Sequence, residues 1–342
     1  MQRTQPYLII CFLLAASMAG AQESNKAGTS AAQFLKIGVG ARAMGMGGAT
    51  VGIVDDASAA YWNPAGLSGV QSFTLIGAHT RWFADVTHQY FGVVLPLGDD
   101  HRIGASATVL SAGDIEITTE NQPRGTGTFY SATDLAIGLS YSGRLVEFFS
   151  FGATFKYITQ SIYNESASAV AVDLGTILHT GFNGITIGMA FTNFGTSLKL
   201  EGRDLHRTYD PNPNSAANTG VSSYLGTESW ELPVNFRVGI GWTVMGPVDA
   251  MLRDETHAVR LGADANHAND GPESAVVGLE YSWRNILALR GGYTFNDDVR
   301  TWSAGVGLHW GNAQSLAVGV DYAYTDLDRL GPIHVFTLIL GL

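Results

Sequence analysis

Residues 316–325 read LAVGVDYAYT, and the order alternates. Leu316, Val318, Val320, Tyr322 and Tyr324 share one face, while Ala317, Gly319, Asp321, Ala323 and Thr325 share the other. A period of two is the pattern of a β-strand whose faces meet different surroundings. The same alternation recurs upstream. Leu287, Leu289, Tyr293 and Phe295 oppose Ala288, Arg290, Gly292 and Thr294, and Val277, Leu279, Tyr281 and Trp283 oppose Val276, Gly278, Glu280 and Ser282. Phe149, Phe151, Phe155 and Tyr157 oppose Ser150, Gly152, Thr154 and Lys156. Val234, Phe236, Val238, Ile240 and Trp242 oppose Asn235, Arg237, Gly239, Gly241 and Thr243.

A soluble sandwich also alternates, with its apolar rows turned inward. Three features favour a membrane-spanning sheet. The strands run to about ten residues, the length of a tilted crossing. Aromatic residues gather at strand ends, as in interfacial girdles. The second face is small and polar, suited to a crowded or hydrated lumen. An open sheet would leave edge N–H and C=O groups unpaired in lipid, so the sheet must close.

The strand segments fall near 70–81, 87–97, 101–112, 128–142, 149–163, 168–179, 185–195, 231–244, 257–266, 274–283, 286–295, 300–310, 316–325 and 333–342. They predict an all-β fold, a roughly 14-stranded antiparallel transmembrane β-barrel, with the even strand number of bacterial barrels. Short connections are expected at Gly98–Asp100, Gly143–Arg144, Gly181–Gly184, Arg284–Asn285 and Gly311–Asn312, facing the periplasm, and long tracts at 113–127 and 196–230, facing out. The tract 245–256 breaks the pattern, being long on the short side.

Thirty acidic residues against 19 basic ones give a net charge of −11, and charged residues are 14% of the chain, where about 25% is usual. That balance argues against nucleic-acid binding, which must neutralise phosphates. Residues 1–21 read as a secretory signal peptide: Arg3, an apolar run from Tyr7 to Ala19, then a small-x-small site ending at Ala21. The single cysteine, Cys11, lies inside that run, so cleavage leaves no thiol for catalysis, disulfides or metal.

Residues 27–69, within an N-terminal segment expected over 22–69, do not alternate. Asp55 or Asp56 is placed to cap a short helix over Ala57–Trp62, Pro64 to stop it at Asn63, and Gly66 to permit a tight turn. Lying before the first strand, on the periplasmic side, the segment is expected to fold up into the lumen as a hatch. Gly38-x-Gly40-x-x-Ala43 mimics a dinucleotide fingerprint, but no βαβ unit follows. The stretches FLKIGVGARAMGMGGA and VDDASAAYWNPAGLS within 31–69, with LPVNFRVGIGW (232–242), VVGLEYSWRNILALRGGYTFNDD (276–298) and LAVGVDYAYTDLDRLGPIHVFTL (316–338), resemble the PorV/PorQ family of outer-membrane proteins.

The resemblance implies a barrel related to the FadL fatty-acid transporters, with the N-terminal segment as a plug. Its hatch motif would comprise Asp55, Asp56, Trp62, Asn63, Pro64, Ala65, Gly66 and Leu67. It also implies a cell outer-membrane location and service in type IX secretion, with secretion-apparatus proteins and exported cargo as partners besides outer-membrane lipid. The alternative is passive transport of a hydrophobic small molecule. No catalytic, metal or cofactor constellation emerges: the nine histidines are scattered and read as interfacial or loop residues. The lumen-facing charges Lys156, Asp173, Arg237, Arg260, Asp264, Glu280, Arg290 and Asp321 are expected to pair inside, with Arg42, Asp55 and Asp56 of the hatch as partners. Facing lipid, each Arg or Lys would cost about 2–4 kcal/mol at mid-bilayer.

Overall fold

The ladder begins at Thr74 and closes on itself. The computed structural model describes residues 28–211, 214, 220–297, 299–311 and 316–342; the signal-peptide segment lies outside them. Fourteen strands make the wall: β1 (Thr74–Arg81), β2 (Thr87–Leu97), β3 (His101–Glu116), β4 (Phe129–Val146), β5 (Phe149–Ile162), β6 (Glu165–His179), β7 (Ile185–Gly195), β8 (Asn235–Gly246), β9 (His257–Ala268), β10 (Ser274–Trp283), β11 (Leu287–Phe295), β12 (Trp302–Trp310), β13 (Ala317–Asp326) and β14 (Pro332–Gly341). Each pairs antiparallel with its chain neighbours, and β14 returns to β1 in the register Gly341 to Thr74, Arg81 to His334. Closure satisfies the backbone all round, which lipid requires.

The faces follow the alternation. Phe91, Phe155 and Ile240, each 53% exposed, point outward, while Ile158 and Asp321 are fully buried inside. Five of the six connections at the end where the chain enters β1 are short or moderate, and this end is called periplasmic by the usual rule. The tract after β8 (247–256) is the long one there, doubling back so that Met245–Gly246 pairs parallel with Leu252–Arg253. The external end carries 117–128 and 196–234, the latter holding an exposed hairpin, His206–Tyr209 with Val221–Tyr224.

Several boundaries shift for physical reasons. β8 starts at Asn235, not 231, because Pro233 donates no backbone hydrogen bond and Leu232 turns into an inner apolar cluster. β4 runs through Gly143–Arg144, which pair with Phe151 and Ser150, so the chain turns at Glu147–Phe148. β5 and β6 are joined by only Tyr163–Asn164, with Tyr163 at φ 56°.

Residues 30–70 fill the barrel, but they do not rise from the periplasmic side. Ser30 bridges to Glu231 and the Ala32 N–H donates to the Gln160 side chain, both at the external mouth. From there the chain descends through a 3₁₀ turn (Gln33–Lys36), α1 (Ala41–Gly45), α2 (Ala59–Trp62) and a second 3₁₀ turn (Pro64–Gly69) to β1. α2 starts at Ala59, so it is shorter than Ala57–Trp62, and its N-cap is Ser58, without a side-chain cap; Asp56 holds Ser58 from outside the helix, accepting from its N–H and hydroxyl.

The inner segment follows the wall strand by strand, and glycines on the inner face admit its backbone. Gly45 lies against Gly305 of β12, Met46 against Gly292 and Gly278 of β11 and β10, and Ala49 against Gly262 of β9. Val51 meets Gly239 and Gly188 of β8 and β7, Asn63 meets Gly175 of β6, and Pro64 meets Gly152 of β5. Two apolar clusters flank this path. Phe34, Leu35 and Ile37 pack with Ile158, Ala169, Leu198 and Leu232 toward the external end, and Trp62 and Leu67 share the other cluster with Tyr90, Val94 and Val335.

Candidate functional site

The chain leaves α2 at Asn63, whose extended backbone (φ −160°) turns it toward the wall. The Asn63 carboxamide then joins three parts of the molecule. Its Nδ2 donates to the Val51 carbonyl at 2.8 Å and to the Thr176 carbonyl of β6 at 3.1 Å, and its Oδ1 accepts the Ala65 N–H at 3.2 Å. Pro64 opens the following 3₁₀ turn, where a missing N–H is harmless. Gly66 is needed for closeness, not for a turn: a Cβ there would sit 2.4 Å from the Val54 carbonyl oxygen. Ala65 and Leu67 are completely buried, and Trp62 Nε1 donates to the Val39 carbonyl at 2.9 Å.

Seven of the candidate charges meet on the opposite side of the lumen. Glu280 accepts from Arg42 Nε at 2.9 Å and from Arg290 Nε at 2.7 Å, and Arg290 Nη1 donates to Asp321 at 2.6 Å. Arg42 also binds Asp55 and, at 3.0 Å, Asp56; Arg260 Nη1 reaches Asp55 at 2.9 Å. Arg42 on the inner segment thus bridges its own acidic pair and the wall of β10. Desolvation makes such groups costly singly and tolerable together.

The remaining candidates sit elsewhere. Lys156 and Asp173 pair with each other at 2.6 Å, joined by Asn193, away from the inner segment's charges. Arg237 lies 5.0 Å from the Trp62 ring, a cation–π contact in place of a carboxylate. Asp264 accepts the Thr50 and Val51 N–H groups at 2.8 and 3.0 Å.

Two histidines depart from the interfacial reading. His309 faces inward and reaches Asp321 at 3.2 Å, and His88 is buried. Inward Gly305 and Gly307, alternating with Val306 and Leu308, already mark that face of β12 for His309. By contrast, His257 and His334 bond the hydroxyls of Tyr281 and Tyr322.

Asp270, between β9 and β10, is a further site residue. It accepts from Ser30, Gln33 (2.6 Å) and Lys36 (3.0 Å), tying the start of the inner segment to the external rim. Burial pushes the Asp270 carboxyl up, but those donors outweigh it and hold the group below the usual carboxylate range. A carboxyl held low when folded stabilises above its unfolded value of about 3.9 and ceases to do so as pH falls through the lower folded value. A spin label on Thr29→Cys should therefore show constant mobility from pH 8 down to about 4 and rising mobility below. Asp270→Asn should give the mobile spectrum at every pH, at a cost of about 1.5–3 kcal/mol for charge-assisted bonds.

A cavity of 580 Å³ opens at the periplasmic end beneath the charge cluster, lined by Arg42, Asp55, Arg260, Glu280, His309 and Asp321 among others. Its lining mixes these charges with apolar residues such as Val318 and Ile339, unlike the external half of the lumen, where Phe34 and Leu35 occupy the apolar interior.

Residues 20–202 match the family described as Type IX secretion system protein PorV. No curated protein matches. Among solved structures, the chain is similar to the Pseudomonas putida toluene transporter TodX (15% identity, 89% of this chain and 97% of that one, TM-score 0.58). It is likewise similar to the Ralstonia pickettii toluene transporter TbuX (11%, 89% and 97%, TM-score 0.55) and to a Pseudomonas aeruginosa FadL homologue (12%, 88% and 97%, TM-score 0.52). At these identities the likeness establishes a shared FadL-type barrel fold.

Proposed function

Since the chain belongs to the PorV family of type IX secretion proteins, an outer-membrane barrel, we propose that it works as a non-enzymatic accessory whose external loops dock exported proteins or other parts of the secretion apparatus. The residues before Gly28 supply the export signal in this reading, and residues 30–70 act as a hatch held by the Asn63 motif and the Arg42–Glu280 cluster.

The observation that carries the proposal is where apolar surface is free. The lumen's apolar interior is taken up by the chain's own Phe34 and Leu35, whereas the 196–234 tract exposes Tyr209, Val221, Tyr224, Leu225 and Trp230 beyond the wall. Exposed aromatic and apolar groups carried on one external tract are suited to protein contacts. Passage of a hydrophobic small molecule would require Phe34 and Leu35 to vacate that interior.

Deleting residues 203–228 is expected to leave the heat-modifiable gel mobility of the barrel intact. Co-purification of secretion components from gently solubilised outer membrane should fall about tenfold, the loss of about 1.4 kcal/mol or more of docking energy. Equal recovery with and without the tract would place docking elsewhere, and recovery of lipid alone with the full chain would defeat the proposal.

A further inference from the structure

The lipid-facing wall is uneven across β14, β1, β2, β3 and β4. At the level of Gly77 the cross-strand neighbours are Leu338, Gly77, Phe91, Ala107 and Ile137, so bulky and missing side chains alternate. One row toward the periplasm, Ala105 repeats the gap beside Val93. Two furrows of 560 and 390 Å³ result, and they share Gly77, Phe91 and Leu338, forming one groove along the hydrocarbon band. The second furrow ends externally at His79 and Gln89.

Arg81 stands one row above His79 on the same outward face, with His334 as its cross-strand neighbour. His334 in turn neighbours Tyr324, which packs on Trp302 at 5.0 Å. Arg81 is therefore in the aromatic girdle, at headgroup depth. Arg260 and Arg300 meet Asp55 and Asp297; Arg81 has no carboxylate partner among the described residues. A guanidinium with no carboxylate partner among the described residues, one row beyond the external end of an apolar groove, is matched by an anion that carries a hydrocarbon tail.

We propose that this groove binds a phosphate-bearing acyl lipid of the outer leaflet, its phosphate on Arg81 with His79 and His334 alongside, and one acyl chain over Gly77 between Phe91 and Leu338. The inference rests on the outer-membrane placement but not on the docking role of the loops. An arginine holds phosphate by paired charge-assisted bonds, and the small residues set the depth available to the chain.

The test uses the full mature chain in mixed micelles with Kdo2-lipid A, counting retained lipid by native mass spectrometry. Wild type should keep one molecule. Arg81→Glu and Gly77→Phe should each lower retention about tenfold; a Cβ at Gly77 meets only ordinary contact with Phe91 at 3.8 Å, so the barrel should still form. Arg81→Gln offers a milder second variant, and Gly291→Phe, at an outward glycine with open space around it, should retain lipid as wild type does. Equal retention by every variant, or equal retention of dephosphorylated lipid A by wild type, would overturn the proposal.

Discussion

Glu280→Ala is expected to release the inner segment while the barrel stays closed. Glu280 is the wall carboxylate that receives both Arg42 and Arg290, with Arg260 3.9 Å away. Its removal leaves Arg290 with Asp321 alone, and Arg42 held only to its own segment through Asp55 and Asp56. The ionic ties left between segment and barrel are then Asp55 with Arg260 and, at the far external rim, Lys36 with Asp270. Breaking one side of a buried pair costs about 3–5 kcal/mol, and the adjoining water-accessible cavity places this case at the lower end. About 3 kcal/mol shifts a closed-to-open ratio roughly a hundredfold. Planar-bilayer recordings should show frequent conducting openings for Glu280→Ala, fewer for Glu280→Gln, and rare ones for wild type, with heat-modifiable mobility unchanged. Silent recordings from Glu280→Ala would mean that packing alone retains the segment.

Much of this architecture is written in local order. All fourteen strands lie where period-two alternation places them, because a side chain's face depends only on its parity along the strand. Boundaries are less legible where tertiary packing overrides parity: Leu232 alternates correctly for β8 yet is drawn into the cluster around Phe34. The inward charges are also legible, since lipid forbids them outside, but their partners are not. Nothing near Lys156 says that it takes Asp173 while Arg237 takes the face of Trp62. Asp270 was out of reach for a stronger reason. Its partners lie more than 230 residues away, on a segment whose position before β1 suggests the wrong end of the barrel. The entry side of a plug depends on the whole path, not on the strand that follows it.

The inner glycines pose the sharpest test of that path. Parity puts Gly292 inside and Gly291 outside on the same strand, so one pair of variants separates the contribution of the segment from that of the sheet. A Cβ at Gly292 would lie 2.2 Å from the Met46 carbonyl carbon, and one at Gly152 2.2 Å from that of Pro64. Both obstacles are backbone, which cannot swing aside as a side chain would. Overpacking ordinarily costs about 1–3 kcal/mol, and these sites belong at or above the top of that range. Valine suits a strand better than glycine does, so the sheet itself is not weakened. Gly292→Val and Gly152→Val should therefore assemble as barrels from which residues 40–70 are displaced. Protease cleavage within that segment should rise at least tenfold over wild type, the factor set by about 1.4 kcal/mol. Gly291→Val, with nothing within 4 Å of its Cβ, should be cleaved as slowly as wild type. If Gly292→Val proved equally resistant, the backbone of Met46 would not be seated on β11, and the descent of the segment along the wall would have to be redrawn.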